Sequence, residues 1–431
     1  MTILADPSGL IVGDAETVGI RYFPGEEDKC PPFRVLYPAS FNVRHSSSLG
    51  EENEQEGSTT TTRASNQTSR RRVSWFHEHG VAFFWNGYLH VAGIKKGSWL
   101  FAFLSTAIGA IASIATFSCS VLGWNGLHFP RGLLSVDAPP AIVIETKKKD
   151  KKPLIVFSHG LTGTGEENLL LMSAWAKMGF VVVSVHHTDG SSCRVRIQNA
   201  ASVAAAAAAD GFYKHGPPFA NYDATFRPKQ ILHRTRDIQQ ALEFVATSPD
   251  LAKIRSICNI QEIISAGFSY GAATAVLVAH TIPQRIKGLI LLDGWFYIDV
   301  SQAAGIEFEF PPQAFLPEDG SDLSTIVPSV FINSEAFESY TKIYQATRRL
   351  ARQFSGSGSV PRQNETPLSF DNMHVLKGTQ HNNFCDVIFW FPTRLLRYLG
   401  VIGQGCDPRD RYREIIRISS DFLKTNFHET S

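Results

Sequence analysis

The chain has 431 residues, of which 43% are hydrophobic, and its 41 basic and 40 acidic residues leave a formal net charge of +1. This length suffices for one large domain with a sizeable core, or for two domains. This balanced charge gives no electrostatic reason to expect nucleic acid as a partner. Six scattered cysteines, without a CxxC pair or zinc-ligand spacing, favour free thiols over a disulfide framework.

The N-terminal residues 1–44 contain two strand-like stretches, at 18–23 and 33–37, which we expect to join a sheet. The first 25 residues lack the apolar core of a secretory signal, which predicts a cytoplasmic location. Residues 45–72 are polar and rich in Ser and Thr, so we predict a disordered insertion there.

Residues 73–146 form an apolar and aromatic segment with predicted helical structure, and within it residues 98–124 carry no charge. A stretch of this length could span a bilayer as a single pass, since a span needs roughly 20 apolar residues. The alternatives are a helix pair packed on the catalytic domain and helices lying in the membrane interface. Seven Ser and Thr residues weaken the prediction of a span.

From residue 147 to 431, short apolar β-branched runs alternate with helical patterns, which predicts a mainly parallel sheet flanked by helices. The predicted strands cover residues 154–158, 180–185, 262–265, 286–292, 330–333 and 374–377. The predicted helices cover residues 166–177, 234–247, 272–280 and 411–425. Residues 353–365, rich in Gly, Ser and Pro, are predicted to be a flexible insertion, and the alanine run at 204–209 a helix or a loop.

The strongest motif is GFSYG at 267–271, which lies between an apolar run and the helix-forming sequence AATAVL. A G-x-S-x-G match alone is weak, but strand, tight turn and helix around it are typical of the nucleophile elbow of the α/β-hydrolase fold. We therefore predict Ser269 as a nucleophile, against the alternative of an ordinary strand-to-helix turn.

A serine nucleophile needs a base and an acid that orients it, and in this fold they follow the serine in the order acid, then histidine. Asp293 directly follows the apolar strand at 286–292, where α/β sites lie, and it is the predicted acid. His381 follows a strand and a glycine-containing loop, and it is the predicted base. The weaker candidates are Asp299, Asp319 and Asp322 for the acid and His374 for the base.

Acyl transfer also needs two N–H donors for the developing oxyanion. One donor is expected from Tyr270, which follows the nucleophile, and the other from the loop FSHGL at 157–161, where we choose Leu161. His159 lies in the same loop, but the chain order favours a structural role for it.

Five motifs together resemble the platelet-activating factor acetylhydrolase family, in its plasma and intracellular type II, lipase-like group. They are FSHGL at 157–161, GFSYGAATA at 267–275, LLDGW at 291–295, FINSEAF at 331–337 and GTQHNNFCD at 378–386, in the family's order. The resemblance covers most of residues 150–400. The chain has His186 and Thr188 where the family usually has Glu and Arg, which puts the role of that pair in doubt.

The resemblance implies calcium-independent hydrolysis of the sn-2 ester of phospholipids with short or oxidised acyl chains, without a metal or organic cofactor. Its implied triad is Ser269, Asp293 and His381, with the N–H groups of Leu161 and Tyr270 as oxyanion donors. It also implies that residues 98–124 touch a membrane surface rather than cross it, which would make the enzyme peripherally membrane-associated. A general carboxylesterase and a non-catalytic, membrane-bound binding protein are the two alternatives, and the sequence says nothing of the oligomeric state.

Overall fold

The computed structural model describes the chain in segments, and every structural statement below refers to these residues. They are residues 10–11, 15, 17–25, 30–39, 81–93, 134–138, 140, 151–196, 211–215, 226–301, 306–309, 327–354 and 372–427. The predicted features at 45–72, 98–124 and 204–209, and most of 353–365, lie outside them.

A nine-stranded sheet forms the centre of the described structure. Its strands are β1 (Thr17–Phe23), β2 (Phe33–Ala39), β3 (Leu134–Val136), β4 (Pro153–Ser158), β5 (Val181–Val185), β8 (Asn259–Phe268), β9 (Ile286–Leu292), β12 (Ser329–Ser334) and β13 (Met373–Leu376). Their spatial order is β13-β12-β9-β8-β4-β5-β2-β1-β3. The six strands from β13 to β5 are parallel, and β2 pairs antiparallel with both β5 and β1.

The remaining elements are helices and two small strand pairs. The helices are α1 (Val81–Val91), α2 (Leu169–Lys177), α3 (Phe226–Thr247), α4 (Ala252–Arg255), α5 (Tyr270–Thr281), α6 (Glu335–Ser339), α7 (Thr341–Phe354), α8 (Val387–Trp390), α9 (Thr393–Tyr398) and α10 (Pro408–Phe427). The pairs join β6 (Arg194–Val195) to β7 (Gly211–Phe212) and β10 (Tyr297–Ser301) to β11 (Ile306–Glu309).

The core lies on both faces of the sheet, because parallel strands are covered by helices on each side. Side chains alternate between the faces along a strand, so Ile155 and Phe157 of β4 belong to one apolar cluster and Leu154 and Val156 to the other. Helices α2 and α10 contribute to the first cluster, and α3, α5 and α7 to the second. The carboxyl ends of the parallel strands therefore meet at one edge, between two helical layers.

The predicted α/β-hydrolase fold class is confirmed, but the sequence did not predict several of the helices and short strands, among them α6 to α9, β3 and the pair β10–β11. The predicted elements differ from the structure mainly at their ends. Helix α3 begins at Phe226 rather than at 234, and Pro228 is compatible with that start because a helix tolerates proline in its first turn. Helix α2 begins at Leu169 rather than at 166, because residues 166–168 form a turn in which Glu166 is buried.

Within the described ranges, no helix has both the length and the apolar composition that a bilayer crossing requires. In the predicted helical segment 73–146, the described helix α1 packs Phe83 and Phe84 into the core.

Candidate active site

Ser269 occupies the sharp turn between β8 and α5, with φ 57° and ψ −120°. Positive φ is rare for a residue with a side chain and stores backbone strain. Two backbone hydrogen bonds fix the turn, since the Ser269 N–H donates to Leu292 O at 2.9 Å and its carbonyl accepts from Trp295 N at 3.1 Å. The serine therefore precedes the first residue of α5, where the helix dipole favours negative charge.

The two glycines of the motif make this turn possible. A Cβ at Gly267 would lie 2.2 Å from the carbonyl oxygen of Gly271, and a Cβ at Gly271 would lie 1.9 Å from that of Ser158. Both contacts involve backbone and cannot be relieved by a side-chain movement. The glycines thus permit the close approach of β8, α5 and the end of β4.

Asp293 follows β9 directly, with φ 43° and no exposed side-chain surface. Its carboxylate accepts the Ser334 N–H at 2.6 Å and the Ser334 hydroxyl at 2.8 Å, both from the neighbouring strand β12. Its Oδ2 also lies 2.6 Å from Nδ1 of His381. The buried charge is therefore compensated by three donors.

His381 begins a short 3₁₀-helix, His381–Phe384, after β13. Its ring stacks between the rings of Phe268 and Phe337, with centroid distances of 4.7 and 4.6 Å. Its Nε2 lies 2.9 Å from Ser269 Oγ, and its side chain is 31% exposed. Since a carboxylate accepts the Nδ1–H bond, Nε2 is left free to accept a proton from the serine.

The structure thus brings Ser269, His381 and Asp293 together in one hydrogen-bonded line. Of the weaker candidates, His374 lies on β13 and Asp299 on β10, whereas Asp319 and Asp322 lie outside the described residues.

The loop after β4 passes beside the nucleophile. A Cβ at Gly160 would lie 3.3 Å from Ser269 Cβ, so the loop is in close contact with the nucleophile immediately before Leu161. In the described part of the chain, neither the Leu161 N–H nor the Tyr270 N–H has a hydrogen-bond acceptor. Buried N–H groups are normally paired, so two free ones beside a serine are suited to receive an oxyanion.

The same loop carries two adjacent glutamates, Glu166 fully buried and Glu167 partly buried, whose pKa values shift in opposite directions. Burial alone would raise the pKa of Glu166, but the Arg34 guanidinium, 2.5 Å away, and His186 lower it to about 2. Burial raises the pKa of Glu167 to about 7, against the hydrogen bond from the Tyr88 hydroxyl of α1. The loop is thus held by an ion pair on one side and by a phenol on the other.

His186 and Thr188, which replace the family's usual Glu and Arg, are part of buried polar clusters. His186 Nε2 lies 3.8 Å from Glu166 and 3.4 Å from Arg34. The Thr188 hydroxyl donates to Asp237 at 3.0 Å, and the same carboxylate lies 3.2 Å from His187. Sequence reasoning did not identify Arg34 or Asp237, since a single charged residue in a strand or an amphipathic helix carries no signal of burial.

The described residues contain no cluster of three or more His, Cys, Asp or Glu side chains arranged for a metal ion.

Comparison with known proteins supports the resemblance. The family model for platelet-activating factor acetylhydrolase, isoform II, matches residues 123–311, which include Ser269 and Asp293. A putative phospholipase A2 of Schizosaccharomyces pombe is 23% identical over 71% of this chain and 75% of its own length. The platelet-activating factor acetylhydrolase of Cavia porcellus is 25% identical over 59% of this chain, and the match spans 53% of that relative.

Among solved structures, a ferulic acid esterase from Streptomyces cinnamoneus superposes with a TM-score of 0.50, at 14% identity, over 99% of this chain and 92% of its own. This likeness concerns the fold. Family and fold together indicate a serine ester hydrolase.

Proposed function

We propose that this chain, which is similar to the platelet-activating factor acetylhydrolases, hydrolyses the sn-2 ester of phospholipids that carry a short or oxidised acyl chain. The single observation that carries this proposal is the hydrogen-bonded line from Ser269 through His381 to Asp293 at the edge of the sheet. The reaction needs neither calcium nor a cofactor, because a histidine-activated serine supplies the nucleophile.

In the first half-reaction, Ser269 Oγ attacks the acyl carbonyl carbon while His381 Nε2 takes the hydroxyl proton. Asp293 accepts the Nδ1–H bond of the ring, holds this tautomer and stabilises the imidazolium that forms. The negative oxygen of the tetrahedral intermediate accepts from the N–H groups of Leu161 and Tyr270. The ester C–O bond then breaks, and His381 gives its proton to the departing lysophospholipid oxygen.

In the second half-reaction, water attacks the acyl-enzyme and His381 accepts a proton from it. The same N–H groups receive the second oxyanion, and collapse of the intermediate releases the carboxylic acid and restores the serine hydroxyl. His381 stacks between Phe268 and Phe337, which restricts rotation of its ring. This supports the cycle, because Nε2 must reach both the serine and the leaving group from one ring orientation.

The uncharged residues 98–124 lie outside the described structure, and their contact with a phospholipid surface is part of this proposal. An apolar segment at the membrane interface would give the enzyme access to a substrate that resides in a bilayer. The predicted location remains the cytoplasm, with the enzyme attached peripherally to a membrane surface.

The test is hydrolysis of a 2-acetyl ether phosphocholine and of its long-chain diacyl counterpart, in EDTA, by the wild type and by Ser269→Ala. We expect acetate release by the wild type, none by the variant, and little cleavage of the long-chain ester. Equal cleavage of long chains, or activity on simple esters alone, would instead support a general carboxylesterase. Absence of all hydrolysis together with no labelling by a fluorophosphonate would support a non-catalytic binding protein.

A further inference from the structure

Arg234 lies on α3, behind the loop that follows β4, and its side chain is fully buried. Its Nη1 donates to the carbonyl of His159 at 2.9 Å, and its Nη2 donates to the carbonyl of Gly160 at 3.2 Å. Its Nε donates to Ser191 Oγ at 2.8 Å. One guanidinium therefore binds two successive carbonyls of the loop immediately before Leu161.

The carbonyl of Gly160 belongs to the same peptide group as the N–H of Leu161. A peptide group is planar and trans, so its C=O and N–H point in opposite directions. Any donor that fixes the Gly160 oxygen on the buried side consequently fixes the direction of the Leu161 N–H on the other side. Gly160 is in close contact with the nucleophile, because a Cβ there would lie 3.3 Å from Ser269 Cβ, and a Leu161 N–H held on that side would point at the reacting serine.

His159 provides a second donor to the same oxygen, because its Nδ1 lies 2.7 Å from Gly160 O. A carbonyl only accepts, so Nδ1 carries the proton, and Nε2 accepts the backbone N–H of His187 at 3.3 Å. This arrangement requires a neutral ring. Burial and the neighbouring Arg234 lower the pKa of His159 well below its usual range, in agreement with that requirement.

The guanidinium of Arg234 also contacts the other half of the site. Its Cζ lies 4.8 Å from the centroid of the Tyr270 ring, and its Nη1 lies 3.3 Å from Thr274 Oγ1. Both residues belong to the start of α5, whose first N–H is that of Tyr270. Arg234 thus connects the two elements that carry the unpaired N–H groups.

We propose that Arg234 and His159 are positioning residues of the oxyanion hole, which hold the peptide group between Gly160 and Leu161 so that its N–H points at the developing oxyanion. This inference rests on the proposed function. A charged donor on the carbonyl also polarises the peptide and strengthens its N–H as a donor. The positioning acts on the transition state, because the charge on the oxygen develops only there.

The experiment compares Arg234→Met and Arg234→Lys with Arg255→Met, using p-nitrophenyl acetate as substrate and a trifluoromethyl ketone as inhibitor. Ser269 adds to the ketone and forms a tetrahedral oxyanion, so the inhibition constant reports on the oxyanion hole. For the ester, kcat/KM reports on the transition state of acylation. Arg255 is the matched control, since its guanidinium also donates to two backbone carbonyls, those of Val245 and Ser248.

For Arg234→Met we expect kcat to fall about 10- to 100-fold, with KM changed less than about threefold and the inhibition constant of the ketone raised by the same factor as kcat falls. Arg234→Lys should recover part of the loss, because an ammonium can still bind one of the carbonyls. Arg255→Met should keep wild-type kcat and inhibition. If Arg234→Met does not fold, His159→Leu provides the second route, and the same parallel loss is expected.

The inference is overturned if folded Arg234→Met or His159→Leu keeps wild-type kcat and ketone affinity and loses only thermal stability. A wild type that hydrolyses no ester and is not labelled by a fluorophosphonate overturns the proposed function, and this inference with it. The wild-type control therefore separates the two failures.

Discussion

Two hydrogen-bonded lines of serine, histidine and aspartate lie in the described part of the chain. The site line is Ser269–His381–Asp293, and the buried line is Ser158–His187–Asp237. Both connect the serine to Nε2 and the aspartate to Nδ1, with distances of 2.9 and 2.6 Å in the site line and 2.8 and 3.2 Å in the buried line. By connectivity alone, either could activate a serine.

The two lines differ in what surrounds the serine. Ser269 lies in a strained turn before a helix, beside two unpaired N–H groups, and its histidine is 31% exposed. Ser158 is the last residue of β4, and both Ser158 and His187 have no exposed surface. A substrate carbonyl therefore has access to the first serine and not to the second.

The electrostatics of the buried line indicate a structural role. Burial and Arg234 lower the pKa of His187, which keeps the ring neutral. Although burial alone would raise the pKa of Asp237, hydrogen bonds from His187 and His233 lower it to about 2. A serine–histidine–aspartate line thus becomes a catalytic candidate through substrate access and nearby oxyanion donors, and not through its hydrogen bonds alone.

The largest expected difference between the lines is at the serines. Ser269→Ala should lower kcat on the order of 10⁶-fold, since it removes the nucleophile. Ser158→Ala should change kcat less than about tenfold, because its hydroxyl meets no substrate. Hydrolysis of p-nitrophenyl acetate measures both, and fluorophosphonate labelling of Ser158→Ala but not of Ser269→Ala is the control. Loss of labelling in a folded Ser158→Ala would show that the reactivity of the site also depends on Ser158, against the structural role assigned to it.

The aspartates should differ next. Asp293→Asn should lower kcat on the order of 10⁴-fold, because an amide favours the wrong tautomer of His381. Asp237→Asn should affect mainly the free energy of unfolding, by about 2 kcal/mol, since a buried charged acceptor of His187 and Thr188 becomes neutral. Urea unfolding and kcat should be measured on both variants. A large loss of kcat in Asp237→Asn, with only a loss of stability in Asp293→Asn, would contradict this assignment.

The site line could be predicted from the sequence because each of its residues follows an apolar strand. Parallel strands end at one edge of a sheet, so Ser269, Asp293 and His381 were expected to meet there. The glycines of the GFSYG motif added a second, steric reason, since the turn requires residues without a Cβ at 267 and 271. Chain order then separated His381 from His159.

The buried line and Arg234 could not be predicted in the same way. Asp237 and Arg234 belong to an amphipathic helix with many charged neighbours, and nothing in the pattern shows which charges point inward. Their burial depends on polar partners from the loop after β4 and from the turn after β5, which the fold brings together over 40 or more residues. Pairing over such distances is a tertiary property, and single-sequence periodicity does not contain it.

The buried line should also make the free energy of unfolding depend on pH, through Asp237. The pKa of Asp237 is lowered in the folded state, so its contribution is fully present above about pH 4 and is lost as the pH falls toward 2. A shift from 3.8 to about 2 corresponds to roughly 2 kcal/mol. The stability deficit of Asp237→Asn relative to the wild type should therefore shrink over this interval. A deficit that is constant between pH 6 and 2 would show that the carboxylate charge plays no part.

The smallest expected effect is the contribution of the Ser158 hydroxyl to folding. Ser158→Ala removes one buried hydrogen bond to His187 Nε2, which should lower the free energy of unfolding by about 1 kcal/mol. The double variant Ser158→Ala with His187→Phe should be less destabilised than the sum of the two single variants, because the two groups are each other's partners. Urea midpoints of the four proteins measure this coupling. Strict additivity would mean that the hydroxyl and the ring do not interact, and that the buried line is a coincidence of packing.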